Sequence, residues 1–266
     1  MQSLRHFLLA VQFLTRIPVT GRLADWVGYS PALLRASAVH FPGVGWLVGT
    51  WVAGVLALLL ALLPPTDAAR WVAALCATAA GVWLTGAFHE DGLADTADAL
   101  GGAVGRDRAL EIMKDSRIGS YGALALGLVL GLKLALLALI AQRGAAPAAA
   151  ALLGAHVLSR AAPLDVMYAL PYVSDPSGAK SKPLAESAGP ATVLTGLAWS
   201  LPALLLLGWV HGPLSLGLAV LGWMLALGAM RRTLRRRLQG FTGDTLGATQ
   251  QLCELALYLG LALRLP

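Results

Sequence analysis

Seven stretches of this chain, at about residues 41–63, 71–88, 120–141, 145–158, 190–210, 213–230 and 246–263, run almost free of charge. Each comes close to the roughly 20 residues that cross a bilayer as an α-helix. With 57% hydrophobic and only 13% charged residues among 266, the chain is not an ordinary soluble domain. The stretch at 145–158 is the shortest of the seven and rich in alanine. Residues 3–16 are too few and too charged to cross. There Gln2, Arg5, Gln12 and Arg16 fall on one helical face, and Leu4, Leu8 and Val11 on another, which predicts a helix lying in the membrane interface. The apolar part of that segment is brief and no small-residue cleavage site follows, so no cleavable leader is expected. The sequence therefore predicts an all-α, polytopic integral membrane protein with seven transmembrane helices and an N-terminal interfacial helix. No repeat or linker marks a second domain, and residues 1–266 are read as one unit.

The basic residues predict the topology. The N-terminal segment, the 89–119 loop, the 159–189 loop and the 231–245 loop carry sixteen Lys and Arg, whereas the alternate segments carry only Arg70, Arg143 and Arg264. By the positive-inside rule the N-terminus and the four basic segments are cytoplasmic and the C-terminus lies outside, in a multi-pass protein of the inner membrane. This bias accounts for the net charge of +6 without nucleic acid. Cys76 and Cys253 both lie inside spans, so neither a disulfide nor a thiolate metal site is indicated.

One of these loops has an unusual charge pattern. In Phe88-His89-Glu90-Asp91-Gly92-Leu93-Ala94-Asp95-Thr96-Ala97-Asp98, positions 91, 95 and 98 are spaced i, i+4 and i+7. On a helix these three carboxylates share a face and repel one another. No Lys or Arg lies between residues 89 and 105 to offset them. A divalent cation is the economical counter-charge, and oxygen-only ligands favour Mg²⁺ or Mn²⁺ over Zn²⁺. The alternative, a solvated acidic face, normally interleaves basic residues. Glu90, Asp91, Asp95 and Asp98 are thus the candidate metal ligands. His89 beside them is a candidate general base or a helix-end hydrogen-bonding group.

After a break at Gly101-Gly102, Asp107, Glu111 and Asp115 recur at i+4 and are expected to share a second acidic face. Arg106, Arg108, Lys114 and Arg117 among them are suited either to phosphate oxygens or to the carboxylates. Arg231, Arg232, Arg235, Arg236 and Arg237 read as a topology anchor touching anionic lipid. The following Gly240-Phe241-Thr242-Gly243-Asp244-Thr245-Leu246-Gly247-Ala248 surrounds one Asp with glycines that admit close backbone approach, making Asp244 a candidate site residue. Glu254 falls inside the last span, where an acid tends to face the bundle interior, and Lys133 is a candidate partner. Lys180 and Lys182, in the Pro-, Ser- and Gly-containing 159–189 loop, are weaker candidates for binding phosphate.

Two long segments resemble a known family. FHEDGLADTADALGG at 88–102 and RALEIMKDSRIG at 108–119 look like the signature of the cobalamin synthases, adenosylcobinamide-GDP ribazoletransferases. Phe41-Pro42-Gly43-Val44-Gly45 and Thr242-Gly243-Asp244-Thr245-Leu246-Gly247-Ala248 are similar to other stretches of that family. The resemblance implies a Mg²⁺-dependent membrane enzyme of late cobalamin biosynthesis. It would join adenosylcobinamide-GDP to α-ribazole or α-ribazole 5′-phosphate, form adenosylcobalamin or its phosphate, and release GMP. On this reading Asp91, Asp95 and Asp98, with Glu90, hold metal; Glu111 and Asp115 are further acids of the site; Arg108, Lys114 and Arg117 bind pyrophosphate; and Asp244 completes the metal site or activates the hydroxyl. The CDP-alcohol phosphotransferases share this type of displacement, but their order of acids and glycines differs. The rival class is a cation-coupled transporter, whose site would sit near the bilayer midplane, whereas most acids here lie in loops beside basic residues. The oligomeric state, a homo-oligomer included, is left open.

Overall fold

A computed structural model of the chain describes residues 2–173 and 190–264. Among these residues there are thirteen α-helices: α1 (Gln2–Leu14), α2 (Gly21–Val27), α3 (Pro31–Ser37), α4 (Phe41–Leu62), α5 (Asp67–Thr85), α6 (Phe88–Gly101), α7 (Arg106–Ile112), α8 (Ser120–Ala141), α9 (Ala145–Ser159), α10 (Ala162–Ala169), α11 (Pro190–His211), α12 (Pro213–Arg237) and α13 (Gly243–Ala262). The protein is an all-α polytopic membrane protein, and the segment expected at the interface is helical as α1. Local chemistry sets several boundaries. Thr66 Oγ1 accepts the Ala69 N–H at the start of α5, and α5 ends where Gly86 and Ala87 both adopt left-handed backbone, at φ 68° and 60°. At the head of α13, Thr242 and Thr245 form a reciprocal capping box.

Each of the seven stretches read as a span is a helix, but among the described residues only five helical segments are long and apolar enough to cross a membrane by those criteria alone: 31–62, 67–85, 120–141, 192–211 and 213–237. α9 has 15 residues, about 22 Å of helix against a hydrocarbon core of about 30 Å. α13 carries Asp244, Gln250, Gln251 and Glu254. Both are largely buried by other helices, so protein surrounds them and their sequences need not satisfy lipid. Close approach is built on glycine. A Cβ at Gly45 would meet the His156 carbonyl oxygen of α9, and one at Gly49 would lie 2.9 Å from Leu153 Cα, a small-xxx-small seam between α4 and α9. Large apolar side chains such as Leu58, Leu75, Leu128, Leu205 and Leu225 stand exposed on the outer helices, where a bilayer would cover them.

Hydrogen bonds sort the loops into two ends. At one end Arg237 donates to the carbonyls of Leu100, Gly102 and Val104, and Arg106 Nε donates to Leu238 O at 2.8 Å. At that same end Arg231 pairs with Asp165 at 3.1 Å, and Val173 N–H donates to Phe241 O. At the other end Arg143 donates to the carbonyls of Leu261 and Ala262, and His211 Nε2 lies 3.1 Å from Pro147 O. The chemically rich loops that the charge bias groups together therefore do converge.

Candidate active site

The site is built where α6 meets the N-terminus of α13. Gly92 makes this possible, because a Cβ there would stand 2.6 Å from Asp244 O, and Gly247 in turn faces the His89 backbone. Two glycines let the helices touch backbone to backbone, which brings Asp244 to the Asp91 and Asp95 face of α6. The electrostatics record this meeting. Asp95 is pushed up to about 7, first by burial and then by Asp91, Asp244 and Asp98, so every group acting on it opposes its ionisation. Such a cluster of carboxylates is short of positive charge.

Asp98 has an additional role. Its Oδ2 accepts the Gly119 N–H at 2.7 Å and its Oδ1 the Gly122 N–H at 2.8 Å, capping the start of α8. A Cβ at either glycine would collide with the carboxylate. Glu90 faces elsewhere: its Oε1 accepts from Gln251 Nε2 at 3.0 Å inside the bundle, away from the aspartate face. His89 is also buried and lines that interior with Lys133, His156, Arg160 and Glu254.

The second acidic face does not form as the spacing predicts. α7 ends at Ile112, so Asp107 and Glu111 share a helix while Asp115 lies in the turn beyond it. Glu111 pairs with Arg108 at 2.9 Å and Asp115 with Arg117 at 2.6 Å, Asp115 half-buried and the other three exposed. The Arg117 hydrogen bonds hold the Asp115 carboxyl down at about 2. Arg108 and Arg117 are thus paired with acids, and Lys114 likewise has an interaction. Lys180 and Lys182 lie outside the described residues.

Behind α6 lies a polar interior. Lys133 Nζ is 2.6 Å from Glu254 Oε1, which also accepts from the Tyr258 hydroxyl, and Gln250 Nε2 donates to both Glu254 Oε2 and Ser159 Oγ at 2.8 Å. Of the roles the sequence leaves open for Lys133, pairing with Glu254 is the one present. Gln250, Gln251 and Arg160 carry no spacing signal that would single them out. Arg237, read as one member of a basic anchor, is instead the clamp on the turn after α6.

The residues fit a hard cation in chemistry, since Asp91, Asp95 and Asp244 offer only oxygens and lack compensating charge. Among the described residues, however, no three His, Cys, Asp or Glu side chains stand at metal-holding spacing. Any ion here would draw the rest of its coordination from water or substrate.

A model of the cobalamin-5-phosphate synthase (CobS) family matches residues 6–262. The chain belongs to this family. Among similar proteins, the adenosylcobinamide-GDP ribazoletransferase of Polaromonas naphthalenivorans (strain CJ2) is 54% identical over the whole of both chains. That of Albidiferax ferrireducens is 55% identical over 99% of each. The Shewanella frigidimarina protein of the same name is 40% identical, over 97% of this chain and 94% of its own. No solved structure matches the chain. The match to the CobS family thus spans both partners of the site, α6 and the head of α13.

Proposed function

We propose that this protein is an adenosylcobinamide-GDP ribazoletransferase. The observation that carries the reading is the meeting of Asp91 and Asp95 with Asp244 across the Gly92 contact, in a chain of the CobS family. A hydroxyl oxygen of α-ribazole, or of its 5′-phosphate, forms a bond to the phosphorus attached to cobinamide. The bond from that phosphorus to the bridging oxygen breaks, and GMP leaves with the second phosphate. Mg²⁺ would lie among Asp91, Asp95 and Asp244, held in part through water or substrate oxygens because the three do not stand at direct-ligand spacing, with Asp98 bordering them. The ion would supply charge stabilisation to the transferring phosphoryl group and the leaving group.

The protein's own groups have separate tasks. Asp244, at the head of α13, would accept the hydroxyl proton as the bond to phosphorus forms. Asp98 fixes α8 against α6 through its two amide contacts. Arg108, Lys114 and Arg117 lie on and after α7, and exchange of carboxylate partners for pyrophosphate oxygens would bring their charge to the substrate. We place this face on the cytoplasmic side of the inner membrane, following the charge bias.

Purified protein in lipid, given adenosylcobinamide-GDP, α-ribazole or its 5′-phosphate, and Mg²⁺, should release one GMP per cobalamin or cobalamin phosphate formed. Comparing the two acceptors shows whether the phosphate is required. Failure to release GMP with either acceptor would refute the reading.

A further inference from the structure

Inside the polar network behind α6 is a small cavity lined by Thr78, Glu90, Lys133, His156, Arg160 and Glu254, among others. About 10 Å³ of it is open to the centre of a water molecule, and a single buried water needs about 10–15 Å³. Three of the lining residues carry a side-chain atom that is buried with no hydrogen-bond partner among the described residues: Thr78 Oγ1, Glu90 Oε2 and Arg160 Nε. Thr78, Glu90 and Arg160 are only 7%, 8% and 2% exposed, so bulk solvent does not serve them. Leaving a buried donor or acceptor unpaired is costly, and three around one cavity call for a common partner.

The donor set decides what that partner is. Arg160 Nε–H can only donate and belongs to a cation, and Lys133 adds a second positive charge to the wall, so a metal ion is disfavoured. Glu90 Oε2 as a carboxylate can only accept, and Glu254 lines the same cavity, so a halide is disfavoured too. Water serves both kinds of group at once. Its oxygen accepts, its two hydrogens donate, and three partners is the usual number for a buried water.

We propose that this cavity holds a structural water that accepts from Arg160 Nε–H and donates to Glu90 Oε2 and Thr78 Oγ1. It joins α5, which carries Thr78, to the first turn of α6 and to Arg160 just past α9. Glu90 Oε1 already accepts from Gln251 of α13 at 3.0 Å, so the two oxygens of one carboxylate tie α6 to its neighbours on several sides. Asp91 follows Glu90 directly in the chain. On the transferase reading, on which this consequence rests, Glu90 is a positioning residue rather than a metal ligand: it holds the turn that presents Asp91 to Asp244.

The test joins a crystallographic map of the protein grown in lipid to turnover of variants in phosphatidylcholine nanodiscs. At about 2 Å resolution a density peak should lie about 2.7–3.2 Å from all three atoms, with no anomalous signal there after soaking in rubidium or bromide. Absence of the peak, or an anomalous peak marking an ion, would overturn the assignment. Thr78→Val keeps the shape and removes one partner of the water, so turnover should fall about three- to tenfold, and Thr78→Ser should stay within about twofold of the unaltered protein. Glu90→Gln, whose amide can still hold the water, should lower kcat about tenfold and leave the half-saturating Mg²⁺ concentration within about twofold. A severalfold rise in that concentration would make Glu90 a metal ligand, and equal turnover in Thr78→Val and Thr78→Ser would remove the positioning role. The water peak in a protein that releases no GMP would leave the site standing and refute the transferase reading instead.

Discussion

At the scale of single residues, the four acids of the α6 signature have three different surroundings. Asp91 and Asp95 face Asp244, Asp98 caps α8, and Glu90 joins the polar interior. Asp98→Asn replaces one accepting oxygen with an amide that meets a backbone N–H, so it should lower stability by about 1–3 kcal/mol, visible as an earlier unfolding transition in detergent. Glu254→Gln should cost more, about 3–5 kcal/mol, because Lys133 would remain charged and buried without its partner. Adding Lys133→Met to Glu254→Gln should restore much of the loss, and denaturant titration of the single and double variants measures the coupling. A double variant no more stable than Glu254→Gln would show that the pair is not the main contribution.

At the scale of elements, the site depends on how closely α6 approaches α13. Gly92→Ala places a methyl group 2.6 Å from Asp244 O and must part the two helices, whereas a Cβ at Gly54 meets nothing within 4 Å. Turnover should fall at least about tenfold in Gly92→Ala and stay unchanged in Gly54→Ala, measured side by side as GMP release. The helices themselves are legible in the sequence because apolar runs of bilayer length leave few alternatives, and the break after α6 is legible at Gly101-Gly102. The contact between α6 and α13 is not. Gly92 and Asp244 lie far apart in the chain, and neither residue's local spacing reveals the other. Asp115 illustrates the opposite failure, since its i+4 spacing suggests a helical face that ends before reaching it.

At the scale of the whole molecule, the same charge asymmetry that predicts the topology also gathers the reactive loops. Arg237, Arg106 and Arg231 tie the segments after α6, before α10's end and after α12 to one side of the bundle. A reporter fused after Gly102 should read cytoplasmic and one fused after Pro266 external. Both on one side would mean that either α9, which falls short of a membrane span in length, or α13, which falls short in apolarity, does not cross. The interior polar network is the part least visible in sequence, because Arg160 and Gln250 acquire their meaning only from helices packed around them.

The most direct test of a shared cation at Asp91, Asp95 and Asp244 is the turnover of their Asn variants, measured as GMP release by lipid-reconstituted protein across a Mg²⁺ titration. Each substitution keeps the side chain's size and removes a charge, so each should lower turnover at saturating Mg²⁺ by at least about a hundredfold while the protein still inserts and folds. Near-normal turnover in all three variants at saturating Mg²⁺ would contradict it.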